Sequence, residues 1–455
     1  MKIGFLYGQK YYLRNIVTAL ETLAERGHDL VVALPDGKRG SVLLPRTLEG
    51  NPRVTTALYP NRRDDGLERS VALLRAVRNA VRYELPPLRD AYANRRRAYR
   101  KLLSAFSAPS ADALPSLELS NGDLSTLAAG LADLEELVPP GAPLVQFIRE
   151  QNLDAVVCLG RVNFNGGESD IAKAARAAGV PCGLIVYSWD NLSSKALVHV
   201  HPDRVFVWND WQVDEAVELH GIPCDRVIAT GAARFDPFFM LAASAPRAEL
   251  LDRFGLDRRA RTVLYLGSSG FVTKREPEFI ERWIGSVRAG DRPELRNANI
   301  LVRPHPGTLD EPAWVGWSPS GPGVAMPTPH RRPQDLYDQL FVADAVVALN
   351  TSAELEAAIV DRPVLTIEIG DLAPGQEGSS HFQYLLVGQG GFVDAARSLD
   401  EHIDELGRAI TDDPRAEQRR RFIERFVRPR GLDQPVGAVL ADEIEALAGI
   451  AETAL

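Results

Sequence analysis

Polar residues collect where apolar runs stop. Within 345–369 the run Ala345–Leu349 gives way to Asn350-Thr351-Ser352, a short helical stretch follows, and a second apolar run opens after Arg362-Pro363. This strand–turn–helix–strand spacing sets a helix N-terminus at the carboxyl edge of a parallel sheet. Open α/β sheets bind ligands there, and unpaired N–H groups attract phosphate. Asn350, Thr351 and Ser352 are thus candidate phosphate contacts, and Glu356 a partner for a ribose or sugar hydroxyl. Thr351 and Glu354 also form a capping box, which needs no ligand; the two readings are compatible.

Two more run ends offer related chemistry. Gly267-Ser268-Ser269 brings backbone N–H groups and hydroxyls close to a phosphate, and Lys274 follows to neutralise charge. Arg303-Pro304-His305-Pro306 is a stiff segment whose imidazole can donate to a phosphate or sugar oxygen. His381 follows a Gly-rich stretch (370–380) that suits a mobile cover. In the first half of the chain, run ends carry Gly160-Arg161 and Ser188-Trp189-Asp190-Asn191. Asp190 beside a Trp is a candidate general base, because apolar surroundings raise a carboxyl pKa. Glu168 and Asp170 are rival carboxylates, although at a helix start they also simply complement the dipole. Arg14, Arg161, Trp189 and Asn191 are the candidate acceptor contacts.

The elements that must hold these residues alternate. KIGFLY (2–7) reads as a strand, 13–26 has a helical period, and HDLVVALP (28–35) is a second strand. The turn at Gly8 lacks G-x-G-x-x-G, so it is no dinucleotide fingerprint. Residues 61–137 interrupt the pattern as a helical insertion with a basic arc, Arg89, Arg95, Arg96, Arg97, Arg100 and Lys101, and a polar loop at 107–123. The arc suits a solvated helix face, or else an anionic acceptor or membrane surface. Strands resume at 154–160, 179–189, 203–209 and 226–232, and a second series runs at 262–269, 299–306, 345–350 and 363–369. Residues 237–260 look like a linker, and the tail from about 399 is helical with a break at 428–435. The pattern predicts two parallel-sheet α/β domains with a site in the cleft between them: 1–240, with the insertion at about 61–140; 241–427; and a final helix, 428–455, returning to the first domain.

Composition narrows the class. With 455 residues, 45% hydrophobic and 25% charged, the chain is an ordinary globular protein, and a net charge of −9 argues against nucleic-acid binding. Cys158, Cys182 and Cys224 lack pair spacing and are expected as buried thiols in a reducing compartment. No His/Cys/Asp cluster has zinc spacing. MKIGFLYG is a strand rather than a signal peptide, and no run is long enough to span a membrane. A cytoplasmic protein is expected. Peripheral contact with the inner face of the membrane and the oligomeric state stay open.

The ordered segments resemble a known superfamily, the GT-B-fold glycosyltransferases. Thr230-Gly231-Ala232-x-x-x-Asp236, Arg303-Pro304-His305-Pro306, Thr351-Ser352-x-x-x-Glu356-Ala357…Arg362-Pro363-Val364 and Phe426…Arg428-Pro429-x-Gly431-x-Asp433 carry the resemblance. Bacterial surface-polysaccharide glycosyltransferases, CDP-glycerol glycerophosphotransferases and UDP-N-acetylglucosamine 2-epimerases are the nearer types. The resemblance implies two Rossmann-like domains, Ser352 on the donor diphosphate, Glu356 on its ribose or sugar, and a leaving-group contact for His305. It implies a nucleotide-diphosphate sugar as substrate, a carbohydrate or lipid-linked hydroxyl acceptor and no separate cofactor. Two glycines that follow the Ser in the epimerases are replaced by Ala353 and Glu354, with one residue fewer, which counts against 2-epimerisation. No Asp-x-Asp stands in a suitable loop, in keeping with metal independence. The leading expectation is a glycosyltransferase. Its rivals are a CDP-alditol glycerophosphotransferase, a nucleotide-sugar isomerase and a non-catalytic binding module.

Overall fold

Runs of Val, Ile and Leu that are apolar at every position demand cover on both faces, which parallel sheets flanked by helices provide. The computed structural model describes residues 1–36, 44–86, 88–105, 119–160, 162, 166–327, 332–370, 372–373 and 380–453. It divides into two units: Met1–Asp236 with Arg425–Leu455, and Pro237–Glu424.

The first unit holds seven strands: β1 (Lys2–Tyr7), β2 (Asp29–Pro35), β3 (Val54–Tyr59), β4 (Ala155–Gly160), β5 (Cys182–Val186), β6 (Arg204–Val207) and β7 (Val227–Ala229). They form one parallel sheet in the order β3-β2-β1-β4-β5-β6-β7. Its helices are α1 (Val17–Glu25), α2 (Glu68–Arg82), α3 (Tyr92–Ala105), α4 (Asn121–Leu137), α5 (Ala142–Gln151), α6 (Gly167–Ala178), α7 (Asn191–Ser194) and α8 (Asp210–His220). Helices α2 to α4 are the insertion; most of the polar loop expected at 107–123 lies outside the described residues.

The second unit opens with α9 (Asp236–Phe239), α10 (Arg247–Arg253), β8 (Thr262–Leu266), α11 (Glu276–Ala289), α12 (Pro293–Arg296), β9 (Asn299–Arg303) and β10 (Val324–Ala325). It continues through α13 (Pro333–Val342), β11 (Ala345–Ala348), α14 (Ala353–Ile359), β12 (Val364–Ile367), β13 (Val393–Ala396), α15 (Leu399–Asp412) and α16 (Ala416–Val427). Its six strands are parallel in the order β10-β9-β8-β11-β12-β13. Counted from its own first strand, that order repeats the first six of the other sheet. The stretch expected as a linker is built into this unit: Leu250 and Leu251 of α10 are buried, and Arg247 pairs with Asp344 at 3.1 Å.

The last helix, α17 (Val436–Thr453), lays Leu440, Ala441, Ile444 and Leu447 into the core formed by β1, β4 and α1. Asp236 fixes its start by accepting from the Val436 and Gly437 N–H groups (3.0 and 2.7 Å), Arg428 (2.7 Å) and Thr18 (3.1 Å). Gly231 is needed there: φ is +108°, and a Cβ would lie 2.7 Å from Val436. Cys158 and Cys182 are buried in adjacent strands, whereas Cys224 is exposed on the turn before β7, contrary to its expected burial. Among the described residues no helix is long and apolar enough to cross a membrane.

Candidate functional site

The strand order of the second sheet reverses between β8 and β11. At such a point connections leave in opposite directions and open a crevice beyond the carboxyl ends. Leu266 stands in register with Ala348 on one side and with Arg303 on the other. Gly267–Ser269, Asn350–Ser352 and Arg303–His305 therefore leave the sheet from neighbouring strand ends at one level.

Each turn has its own cause. Gly267 donates its N–H to the Arg303 carbonyl at 2.8 Å, and a Cβ on it would lie 2.7 Å from the His305 nitrogen, so only glycine fits. Ser268 is wholly buried, and its N–H is taken by both carboxylate oxygens of Glu276 at 2.8 and 3.0 Å. The Tyr265 hydroxyl donates to the same carboxylate at 3.0 Å. Burial pushes Glu276 up to about 7, against the hydrogen bonds from Ser268 and Tyr265. Ser269 is half-buried and accepts the Val272 N–H at 2.8 Å, while Lys274 is exposed.

Arg303 is buried and donates to Gln339 at 3.0 Å, so its guanidinium is held within the unit. His305 accepts the Gly307 N–H on Nδ1 at 3.0 Å. Burial pulls its pKa below the usual value. A neutral ring with Nδ1 accepting carries its proton on Nε2, which makes Nε2–H the donor available to a ligand.

At the facing turn, Asn350 has φ 135°, a strained backbone for a residue with a Cβ. Half of the expected capping box forms: the Thr351 N–H reaches Glu354 Oε1 at 3.4 Å, and the Ala353 N–H reaches Thr351 Oγ1 at 3.5 Å. Ser352, not Thr351, is the N-cap residue of α14, and its side chain makes no capping bond. Glu354 is wholly buried, and burial pushes it up to about 8. Glu356 is half-buried and contributes to the electrostatic surroundings of Arg303. His381 is the second residue of a tight turn, Ser380–Leu385, anchored by buried Phe382 and Leu385; most of the Gly-rich stretch before it lies outside the described residues.

In the first unit the expected residues separate. Asp190 forms an ion pair with Lys195 at 2.7 Å and accepts from Ser194 at 3.1 Å and Asn191 at 3.2 Å. Its surroundings are thus cationic and polar, not the apolar setting expected from the neighbouring Trp. Trp189 is buried edge-on against Phe426, with centroids 6.0 Å apart, and Asn191 is wholly buried. Both side chains expected at an acceptor are therefore packed inside the first unit. Asp170 binds Arg75 at 2.8 Å, and that buried guanidinium also holds the wholly buried Glu135 at 2.8 Å. Through Arg75 it ties α6 to the helical insertion. Arg14 is exposed and reaches the Tyr187 hydroxyl at 3.4 Å; Arg161 lies outside the described residues.

Glu168 is different. It lines a cavity of about 150 Å³ together with Gly8, Gln9, Tyr59, Asn61 and Gly167, beyond the carboxyl ends of β1, β3 and β4. This is the strand-order reversal of the first sheet. A Cβ on Gly160 would run into the Glu168 carboxylate, so glycine there admits it. Glu276 was missed by sequence reasoning. Its only sequence signal, Glu-Pro opening a helix nine residues after Gly267, reads equally as an ordinary acidic first turn.

No family model matches the chain, and no curated protein matches it by sequence. Solved structures do match by fold. The UDP-GlcNAc 2-epimerase from Neisseria meningitidis bound to UDP-GlcNAc aligns with a TM-score of 0.52 at 12% identity, covering 98% of this chain and 100% of that one. A glycosyltransferase from Rickettsia africae gives 0.51 at 8% identity, covering 99% and 98%. The UDP-GlcNAc 2-epimerase from Methanocaldococcus jannaschii gives 0.51 at 11%, covering 98% and 100%. The chain thus has the GT-B fold, two Rossmann-like parallel-sheet units, shared by glycosyltransferases and UDP-GlcNAc 2-epimerases.

Proposed function

We propose that this chain is a metal-independent glycosyltransferase that moves a sugar from a nucleoside-diphosphate donor to a hydroxyl acceptor. The observation that carries the reading is the alignment of Gly267–Ser269, Arg303–His305 and Asn350–Ser352 at the strand-order reversal of the second sheet. Ser269 and Ser352 would contact the diphosphate, Glu356 the ribose or sugar hydroxyls, and the His305 Nε2–H the departing phosphate oxygen. A donor fixed in advance at the developing charge is the usual main source of such catalysis. Glu168, in its polar cavity, is the first-unit carboxylate best placed to receive the acceptor proton.

A thermal-shift panel of UDP, CDP, GDP, ADP and dTDP tests the binding half. A ligand at a hundred times its Kd adds about 2.7 kcal/mol to stability, so the correct base stands out; a flat panel overturns the reading. Turnover of the matching sugar nucleotide tests the chemistry. Glu168→Gln should lower it about 10²- to 10⁴-fold, as expected for loss of a general base, with unfolding unchanged. A new sugar nucleotide formed without acceptor would make the protein an isomerase, and alditol-phosphate transfer from a CDP-alditol would make it a glycerophosphotransferase.

A further inference from the structure

We infer that Glu276 is a positioning residue whose carboxylate stands in for a ligand anion on the Ser268 N–H, so that binding a diphosphate at this edge takes up a proton. The inference rests on the donor reading of the second unit and adds a linkage that the reading does not contain.

The backbone N–H that follows the first strand of a reversal point is a natural phosphate donor. Here it is already engaged: both Glu276 oxygens accept it, and Tyr265 supplies one further hydrogen bond. Glu276 itself is wholly buried and makes no ion pair among the described residues. Its nearest cationic neighbours look elsewhere, since Arg275 pairs with Glu278 at 2.5 Å and Lys274 is exposed. The charged group that bears on it, Glu311, is negative and raises its pKa further. The Ser268 hydroxyl is buried against the same carboxylate and favours its charged form, so the turn encloses an internal anion. The partner turn repeats the arrangement, with Glu354 on the Thr351 N–H and its second oxygen buried without a partner.

A diphosphate brought to this edge adds negative charge beside a carboxylate supported only by hydrogen bonds. Protonating Glu276 relieves the repulsion and costs little. One oxygen still accepts from Ser268, and the new O–H can donate to the Tyr265 oxygen. Burial already places the group near neutrality, so the proton is available under ordinary conditions. By linkage, affinity then rises as pH falls, by at most tenfold per pH unit for one proton.

The test is calorimetric titration of the full chain with UDP-GlcNAc, whose phosphates are diesters and do not titrate near neutrality, at pH 6, 7 and 8 in two buffers of different ionisation enthalpy. The wild type should bind about tenfold tighter at pH 6 than at pH 8 and take up a fraction of a proton at about pH 7. Glu276→Gln should bind with equal affinity at all three and take up none. Proton uptake that persists in Glu276→Gln but vanishes in His305→Asn would assign the linkage to the imidazole and overturn the inference. If Glu276→Gln does not fold, Tyr265→Phe should move the midpoint to higher pH, and an unmoved midpoint counts against the inference equally. Binding without proton uptake sinks the inference alone. No binding by UDP-GlcNAc or by CDP, GDP, ADP and dTDP sugars sinks the donor reading and the inference together.

Discussion

At the carboxyl edge of the first sheet, Asp170 and Asp190 are each paired with a cation, Arg75 at 2.8 Å and Lys195 at 2.7 Å. Near the same edge of the second sheet, Glu276 and Glu354 are wholly buried and face backbone N–H groups instead. The strand order is shared and the residue chemistry is the same, yet the surroundings differ. A guanidinium or ammonium stabilises the charged carboxylate, whereas burial with few partners favours the proton. Strand-end carboxylates therefore do different work in the two units. Those of the first unit fasten α2 and α7, and those of the second hold turns in a protonation-sensitive form. Glu168 lines a cavity of its own.

The largest test of this contrast removes the cation that serves two carboxylates. Arg75→Ala leaves Glu135, wholly buried, without its closest partner. Breaking a buried pair from one side costs about 3–5 kcal/mol. Lys173 at 3.4 Å and Arg78 at 4.0 Å remain, which argues for the lower end. Urea unfolding measures it. A loss below about 1 kcal/mol would mean that the remaining cations suffice and the docking of the insertion does not depend on Arg75.

The second test concerns pH. Glu276 titrates near 7 in the folded chain, against an ordinary 4.5. The native state therefore binds more protons than the unfolded state between those values, and stability falls as pH rises from about 4.5 to 7. The contribution is about 3 kcal/mol, present in full at acid pH and lost above neutrality. For Glu354 the window extends to about 8. Glu276→Gln should flatten the corresponding part of the stability–pH curve relative to wild type. Parallel curves for the two proteins would show that Glu276 keeps an ordinary pKa, and the contrast between the units would fail on that side.

Much of the fold was legible because it rests on buried, doubly covered strands. β1, β4, β5, β8 and β9 are apolar at nearly every interior position, and nearly every position is buried. β3, β10 and β13 were not read: β3 and β13 are buried only at their end residues, and β10 has two residues. These are edge strands, where one side needs no apolar residue. The candidate donor residues were legible for a related reason, since strand ends follow from strand runs. Their electrostatic partners were not. Arg75 reaches across 60 residues to Glu135 and 95 to Asp170, and only the folded chain brings Tyr265, Ser268 and Glu276 together. Trp189 beside Asp190 suggested an apolar setting, but the side chains part, one toward Phe426 and the other toward Lys195.

The smallest expected effect is at Asp190, and it bears on the choice of base. Its pair with Lys195 is largely shielded, with side-chain exposures of 19% and 13%, but it retains some water. Asp190→Asn keeps an acceptor for Ser194 and loses the ionic component, so unfolding should shift by about 1 kcal/mol or less. Under the proposed function its transfer rate should stay near wild type, while Glu168→Gln is nearly inactive. The pH–rate profile adds a readout that packing alone does not move: the limb set by the base should persist in Asp190→Asn. An Asp190→Asn protein that folds normally but has lost transfer by a hundredfold or more would reverse the assignment. Lys195 would then be the group that releases Asp190 when substrate binds, and Asp190 rather than Glu168 would be the reactive carboxylate of the first unit.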